Sequence, residues 1–315
     1  MTKTIFFSLL ASLCINCAVF AQSRPETDRQ RVRTVSIPIS IFTKEELRQG
    51  QAEEFIQADR LIVKEDRDEQ TILSIRSVAD APLALAILVQ EDLTSTFNLQ
   101  LNDIRKFIRS LPRGSRVMVA YLRGGTLQVR QRFTSDLDAA ANSLRIVASS
   151  SSLAPRSPYD GLVDALNRFD ALPAGRRAVL LLSDGLDVSG GIAGSTPAQS
   201  VDLERAITRA QRRSVSVFSV YNPTALTENG DSRLILNGQG SLARLADETG
   251  GRAFFQGSVA PLSLEPFFRE LSLLLNRQFL LSYLSTHMNR GYHRVEVLST
   301  NPSVKIEHPK GYYYR

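Results

Sequence analysis

Apolar and polar residues alternate along Val35-Ser-Ile-Pro-Ile-Ser-Ile41, and a period of two predicts a half-buried strand. Pro38 has no N–H to give a neighbour, which marks that strand as an edge. Thr43-Lys-Glu-Glu46 has capping-box spacing and predicts a short helix. Residues 60–64 and 71–75 read as strands, with Glu65-Asp-Arg-Asp-Glu69 as a charged hairpin tip. From Pro82 the pattern changes. Leu83–Val89 is a continuous apolar run, as a strand covered on both faces requires, and Arg177–Ser183 reads as a second buried strand. Strands over 116–122, 126–133, 214–221 and 252–255 join them, with Gly124-Gly125 as a hairpin turn. Helical spacing appears over 98–110, 135–147, 158–169, 201–213, 241–249 and 262–277. The tail returns to strands over 278–285, 292–298 and 303–307. Alternating strand and helix predict an α/β fold with a Rossmann-like, doubly wound, mainly parallel sheet. The β-rich flanks, 33–80 and 278–315, are expected to pair into a small discontinuous β-sandwich-like domain around the 82–277 centre.

The composition fits this, with 43% hydrophobic and 22% charged residues in 315, too apolar for a disordered chain. The formal charge is +6, but six of the 38 basic residues are Lys and the rest Arg, scattered without a block. No nucleic-acid footprint follows from that. Met1–Ala21 has the layout of a secretory signal: Lys3, an apolar stretch over Ile5–Leu13, and Val19-Phe-Ala21 before a cleavage point. The apolar stretch is too short to span a bilayer of about 30 Å. Cleavage would leave a mature chain of charge +5, without a transmembrane span, exported to the periplasm or the medium. Residues 22–32 read as a loose leader and Ser149–Ser152 as a flexible connection. Both cysteines, Cys14 and Cys17, lie in the signal, so the mature chain has no thiol. Leu13 and Asn16 precede them and suit lipoprotein processing poorly.

The catalytic inventory is thin. His287, His293 and His308 all lie in the β tail, and no serine sits in a G-x-S-x-G turn. Gly190–Thr196 lacks the lysine of a phosphate loop. The informative places are the exits of the buried strands, because open parallel sheets bind ligands beyond their carboxyl ends. Those exits read Gln90-Glu-Asp92-Leu-Thr94-Ser-Thr96 and Ser183-Asp184-Gly185-Leu-Asp187, with Arg156-Ser157-Pro-Tyr159-Asp160 opening a helix between them. Carboxylates and hydroxyls on three loops suit a hard divalent cation such as Mg²⁺ or Mn²⁺.

At these residues the chain resembles a von Willebrand factor A domain, over about residues 82–277. Ser183-Asp184-Gly185 after an apolar strand, Ser157–Leu166, Phe107–Val119 and Phe133–Asp136 carry the resemblance. The flanks, with Gly291–Val297 and Lys310-Gly-Tyr312, resemble exported bacterial proteins of this family, of the kind common in Acidobacteria. The resemblance implies a metal-ion-dependent adhesion site, built from D-x-S-x-S, a hydroxyl on the second loop, and the Asp-Gly aspartate. Here Gln90 stands at the leading position in one frame, while a two-residue shift reads Asp92-Leu-Thr94-Ser-Thr96 as D-x-T-x-T. Asp92, Thr94 and Asp184 are the first candidate ligands in either frame, and Ser157 and Thr96 the second. The alternative is a degenerate domain whose residues cap helices. The expected function is a non-enzymatic module that binds a protein partner through this face. A structural envelope scaffold and a metal-dependent hydrolase are the competing expectations. Tyr312-Tyr-Tyr314 is expected to fill a last strand.

Overall fold

The computed structural model describes residues 31–43, 61–78, 81–149, 156–173, 175–228 and 232–314. The signal segment, most of the leader, the helix expected after Thr43 and the serine run from Ser150 lie outside them. Three strands come first: β1 (Arg33–Thr43), β2 (Leu61–Glu65) and β3 (Asp68–Ser77). The central sheet follows as β4 (Leu83–Gln90), β5 (Arg116–Arg123), β6 (Thr126–Thr134), β7 (Arg176–Ser183), β8 (Ser216–Tyr221) and β9 (Ala253–Phe254). Its order is β6-β5-β4-β7-β8-β9, all parallel except the β6 edge.

Helices cover both faces. On one side α1 (Leu101–Ser110), α2 (Leu137–Asn142) and α7 (Glu265–Asn276) pack Ile104, Phe107, Ala141, Phe268 and Leu271 against Leu85, Ile87 and Val89 of β4. On the other, α3 (Pro158–Asn167), α4 (Val201–Arg212) and α6 (Ser232–Thr249) pack Leu162, Ala206 and Leu245 against Ala86 and Leu88. A one-turn helix, α5 (Ala225–Glu228), precedes α6. Double cover explains the unbroken apolar stretches Leu83–Val89 of β4 and Ala178–Leu182 of β7. Chain order reverses at β4, flanked by β5 and β7, so the loops leaving β4 and β7 lie beside each other.

Two helices differ from expectation. α2 stops at Asn142 rather than continuing to Val147. Beyond it, Tyr121 Oη donates to Arg145 O and accepts from Arg145 N, both at 2.8 Å. The Asn98 amide holds Val147 in the same two-way fashion at 3.1 and 2.8 Å. These side chains satisfy the backbone that a longer helix would have paired, and Leu144 and Val147 are buried as irregular chain. α6 starts nine residues earlier than the expected Ser241, at Ser232.

The tail forms β10 (Gln278–Ser285), β11 (Gly291–Ser299), β12 (Val304–Glu307) and β13 (Gly311–Tyr314). It pairs with the first three strands in one antiparallel sheet, ordered β12-β1-β10-β3-β2-β11-β13. This single sheet curls around its own core of Val35, Ile37, Ile39, Val63, Leu281, Tyr283, Val295 and Val297. β1 is not an edge strand: β10 pairs with Arg33–Ser40 and β12 with Ser40–Thr43. Pro38 is accommodated because β12 does not reach it. Ile41 N–H points to the β10 side, at Arg277 O, so by alternation the N–H that Pro38 lacks would point away into the unpaired stretch. Tyr312 packs against the sheet core as expected, while Arg33 stacks on Tyr312 and Tyr314.

No helix among the described residues is long and apolar enough to cross a membrane.

Candidate functional site

The loop leaving β7 is fixed from below by a helix. Gly185 turns with φ +69°, and a Cβ there would stand 2.4 Å from Gly238 O of α6. A Cβ on Gly238 would stand 2.1 Å from Asp184 O. Two glycines thus let the helix backbone press directly on the loop. Tyr159 Oη, from α3, donates to Gly185 O at 2.6 Å and braces it from the side.

So held, Asp184 is fully buried and both of its carboxylate oxygens are hydrogen-bonded. Oδ1 accepts from Leu186 N at 3.0 Å. Oδ2 accepts from Thr224 Oγ1 at 2.7 Å and from Arg156 Nη2 at 3.2 Å. Arg156 Nη2 also donates to Thr224 Oγ1 at 3.2 Å. The same guanidinium reaches the β4 loop, where its Nε lies 2.9 Å from Asp92 Oδ2. Arg156 is 9% exposed. One arginine side chain therefore ties the loops after β4, before α3, after β7 and after β8. Burial pushes the Asp92 carboxyl above its ordinary range, with Arg156 pulling it back and the neighbouring Asp184 pushing it further.

The five residues singled out from sequence divide. Asp92 and Asp184 converge on one cation, which is a guanidinium. Ser157 caps α3, its Oγ accepting from Tyr159 N at 3.3 Å. Thr94 and Thr96 turn their hydroxyls on each other at 2.6 Å. Gln90 stands at the head of the loop. Its Oε1 accepts from Ser183 Oγ and, at 3.2 Å, from Asp184 N, beneath the carboxylates.

This donor set does not fit a divalent ion. A hard cation of the Mg²⁺ class takes six oxygen ligands in near-octahedral array. Here the two carboxylates face a guanidinium, the Gln90 amide is bonded inward, and the Ser157 hydroxyl serves a helix end. Arg156 and Thr224 are the members that sequence reasoning did not assign. The signal was available for Arg156: a basic residue opening the middle one of three loops, the other two of which bring acids to the same edge.

No family model matches the sequence, and no curated protein matches it. Solved structures do resemble it. An aerotolerance-related membrane protein from Bacteroides fragilis aligns with 62% of this chain and 99% of its own, at TM-score 0.43 and 11% identity. A von Willebrand factor type A protein from Catenulispora acidiphila aligns over 83% of this chain and 75% of its own, at TM-score 0.43 and 13% identity. The manganese-loaded TRAP protein of Plasmodium vivax aligns over 75% and 97%, at TM-score 0.40 and 11% identity.

Proposed function

We propose that the central domain is of the von Willebrand factor A kind and that this chain is an exported, non-enzymatic module that binds a protein partner through its loop face without a bound metal ion. The observation that carries this is Arg156. It holds Asp92, Asp184 and Thr224 from three separate loops, so the face is clamped by an internal cation instead of an exchangeable one. Export rests on the layout of Met1–Ala21. The non-enzymatic reading rests on the side chains present: the loops bring acids, hydroxyls and a guanidinium to one edge, while His287, His293 and His308 sit on the other sheet or just beyond its strands. A fixed platform suits recognition of a surface, because little ordering entropy is lost when it docks.

Thermal melts in EDTA and in millimolar Mg²⁺ or Mn²⁺ test the metal-free face. The wild-type melting point is expected to be the same in all three, since an ion that binds the native state must raise it. Arg156→Ser removes the internal cation and leaves the fully buried Asp184 carboxylate without a counter-charge. It is expected to lose about 3–5 kcal/mol and to recover part of that in millimolar Mg²⁺. A rise in the wild-type melting point with either ion that Asp92→Asn abolishes would refute the reading. Photo-crosslinkers placed at Ser95 and Leu73 test the face itself, since both positions are exposed. Adducts in envelope extracts are expected from Ser95 alone, and equal labelling from both would favour the scaffold.

A further inference from the structure

The hairpin tip between β2 and β3 belongs to the curled sheet, away from the loop face. Glu65 pairs with Asp68 across a two-residue turn, and the two residues within it, Asp66 and Arg67, take positive φ of +49° and +81°. Turns of that kind favour Asn-Gly, so an arginine in the second place holds a backbone shape that its Cβ resists. The turn is pinned through Asp66. Its N–H donates to Arg294 O at 2.9 Å, its Oδ1 accepts from Arg294 N at 2.8 Å, and its Oδ2 lies 2.8 Å from His293 Nδ1.

His293 is buried, and both of its ring nitrogens face acceptors. Nε2 lies 2.7 Å from Asn289 O, and a carbonyl can only accept, so Nε2 carries a proton. Nδ1 faces Asp66 and, at 3.4 Å, Glu65 Oε1. Burial opposes the charge on Asp66, but hydrogen bonds from His293 and Arg294, with the charges of His293 and His287, hold its carboxyl below the ordinary range. An ionised carboxylate can only accept, so Nδ1 carries the second proton and the ring is a cation. His287 stands beside it, with Nε2 3.1 Å from Asp68 Oδ2 and Nδ1 3.6 Å from Glu65 Oε1. Tyr312 of β13 stacks on His293 and donates to Glu65 Oε1 at 2.8 Å, and Tyr283 of β10 lies beside Glu65 and Tyr312. Arg33 of β1 lies 3.4 Å from Glu65, Arg67 is exposed, and Arg294 turns outward to Glu296. With both imidazoles protonated, three cations meet the carboxylates of Glu65, Asp66 and Asp68. With both neutral, Arg33 is left facing the three carboxylates.

We infer that this tip is a pH-sensitive latch: the His293 imidazolium, with His287 beside it, holds Asp66 and the left-handed turn against the curled sheet, and loss of the ring proton releases them. A neutral His293 still donates from Nε2 to Asn289 O, so its Nδ1 then turns a lone pair on Asp66 Oδ2 and Glu65 Oε1. The attraction at 2.8 Å becomes repulsion, in a buried place where water screens little of it. Glu65 stays, because Tyr312, Ser285 and Arg33 hold its Oε1. Asp66 is the member that can leave, since it sits at the exposed end of the hairpin in a backbone shape that favours relaxation. A proton that the closed tip binds and the open tip gives up favours closure in acid and opening as pH rises.

Amide hydrogen exchange on the full-length protein, expressed as protection relative to an unstructured peptide at the same pH, tests the latch. Protection of the Asp66 and Arg294 amides is expected to fall at least about tenfold between pH 5.5 and pH 8.5, because one proton linked to closure changes its equilibrium by up to about tenfold per pH unit. The Ile87 amide in β4 is expected to keep its protection. His293→Gln retains a side-chain donor that does not titrate, so its tip is expected to show equal protection at both pH values. Should that variant fail to fold by circular dichroism, Asp66→Asn decides: its side-chain oxygen can still accept from Arg294 N, while the charge that answers the ring is gone, and the same flat profile is expected. Ring ¹⁵N shifts of the wild type are expected to show His293 Nδ1 losing its proton over the interval in which protection falls. Equal wild-type protection at the two pH values overturns the latch. So does a fall that persists undiminished in whichever variant folds, or a His293 ring whose protonation does not change over the interval.

Discussion

His308 accepts a hydrogen bond from Val297 N at Nε2, 3.3 Å, and its Nδ1 lies 3.0 Å from Pro309 O. The ring is therefore neutral. Burial pushes its pKa down, with the Pro309 carbonyl opposing, Lys310 assisting, and Glu307 and Asp247 opposing. In the unfolded chain the same ring protonates near about pH 6.5. As pH falls through that value the unfolded state takes up a proton that the folded state refuses, so stability present above it is lost in acid. The loss is at most about 1.4 kcal/mol per pH unit. Urea melts at pH 7.5 and 5.5 are expected to show it, and His308→Gln, which can still accept from Val297 N–H, is expected to lose less over the same interval. An equal loss in the variant would assign the acid sensitivity to other groups. Residue-scale chemistry of this kind was the least legible part of the sequence. Arg156 is one arginine among many, and its partners Asp92, Asp184 and Thr224 are reached only through the fold. Glu65 was readable in principle, since it continues the alternation of Leu61 and Val63 onto the inward face, yet its acidic neighbours made it look like part of a solvated tip.

Elements were far more legible, because burial on two faces or one writes itself into local periodicity. The runs at Leu83–Val89 and Arg177–Ser183 became the two strands whose exits carry the loop face. Gly124-Gly125, both with positive φ, made the hairpin between β5 and β6. Lengths were missed where side chains from elsewhere replace backbone pairing, as Tyr121 and Asn98 do beyond α2. The contact between α6 and the β7 exit makes a prediction at this scale. Gly238→Ala gains helix propensity of about 1 kcal/mol, but its Cβ would stand 2.1 Å from Asp184 O, a backbone atom with no room to yield. Overpacking of about 1–3 kcal/mol is expected to win. The variant should melt below wild type, whereas Gly190→Ala, with open space around it, should not. A Gly238→Ala protein at least as stable as wild type would mean that the loop does not rest on the helix.

At the scale of the molecule, the curled sheet and the central domain are stitched together by buried contacts. Arg176 of β7 reaches Gln278 Oε1 at 3.2 Å, Ala81 O at 3.1 Å and Leu275 O. Arg252 pairs with Glu307, and Lys310 N donates to Glu248 O at 3.2 Å. Gly250 fits only because it has no side chain: a Cβ there would stand 2.6 Å from Pro309 N. One calorimetric transition is expected for the whole described chain, with calorimetric and van't Hoff enthalpies in agreement. Two resolved transitions would show that the sheet and the central domain unfold independently.

The pairing of β1 with β10 also sets an order in time. Arg33 lies opposite Ser285 and Ser40 opposite Gln278, so the strand made first among the described ones must await one made more than two hundred residues later. Synthesis at about 5–20 residues per second makes that wait on the order of ten to fifty seconds. The central strands and helices meet near neighbours and can close during it, while Ile37, Ile39 and Ile41 remain an uncovered apolar edge. The interval before the tail arrives is when the nascent chain is most open to adhering to other copies of itself. A factor that occupies β1 in that interval would protect the protein without ever touching its finished form.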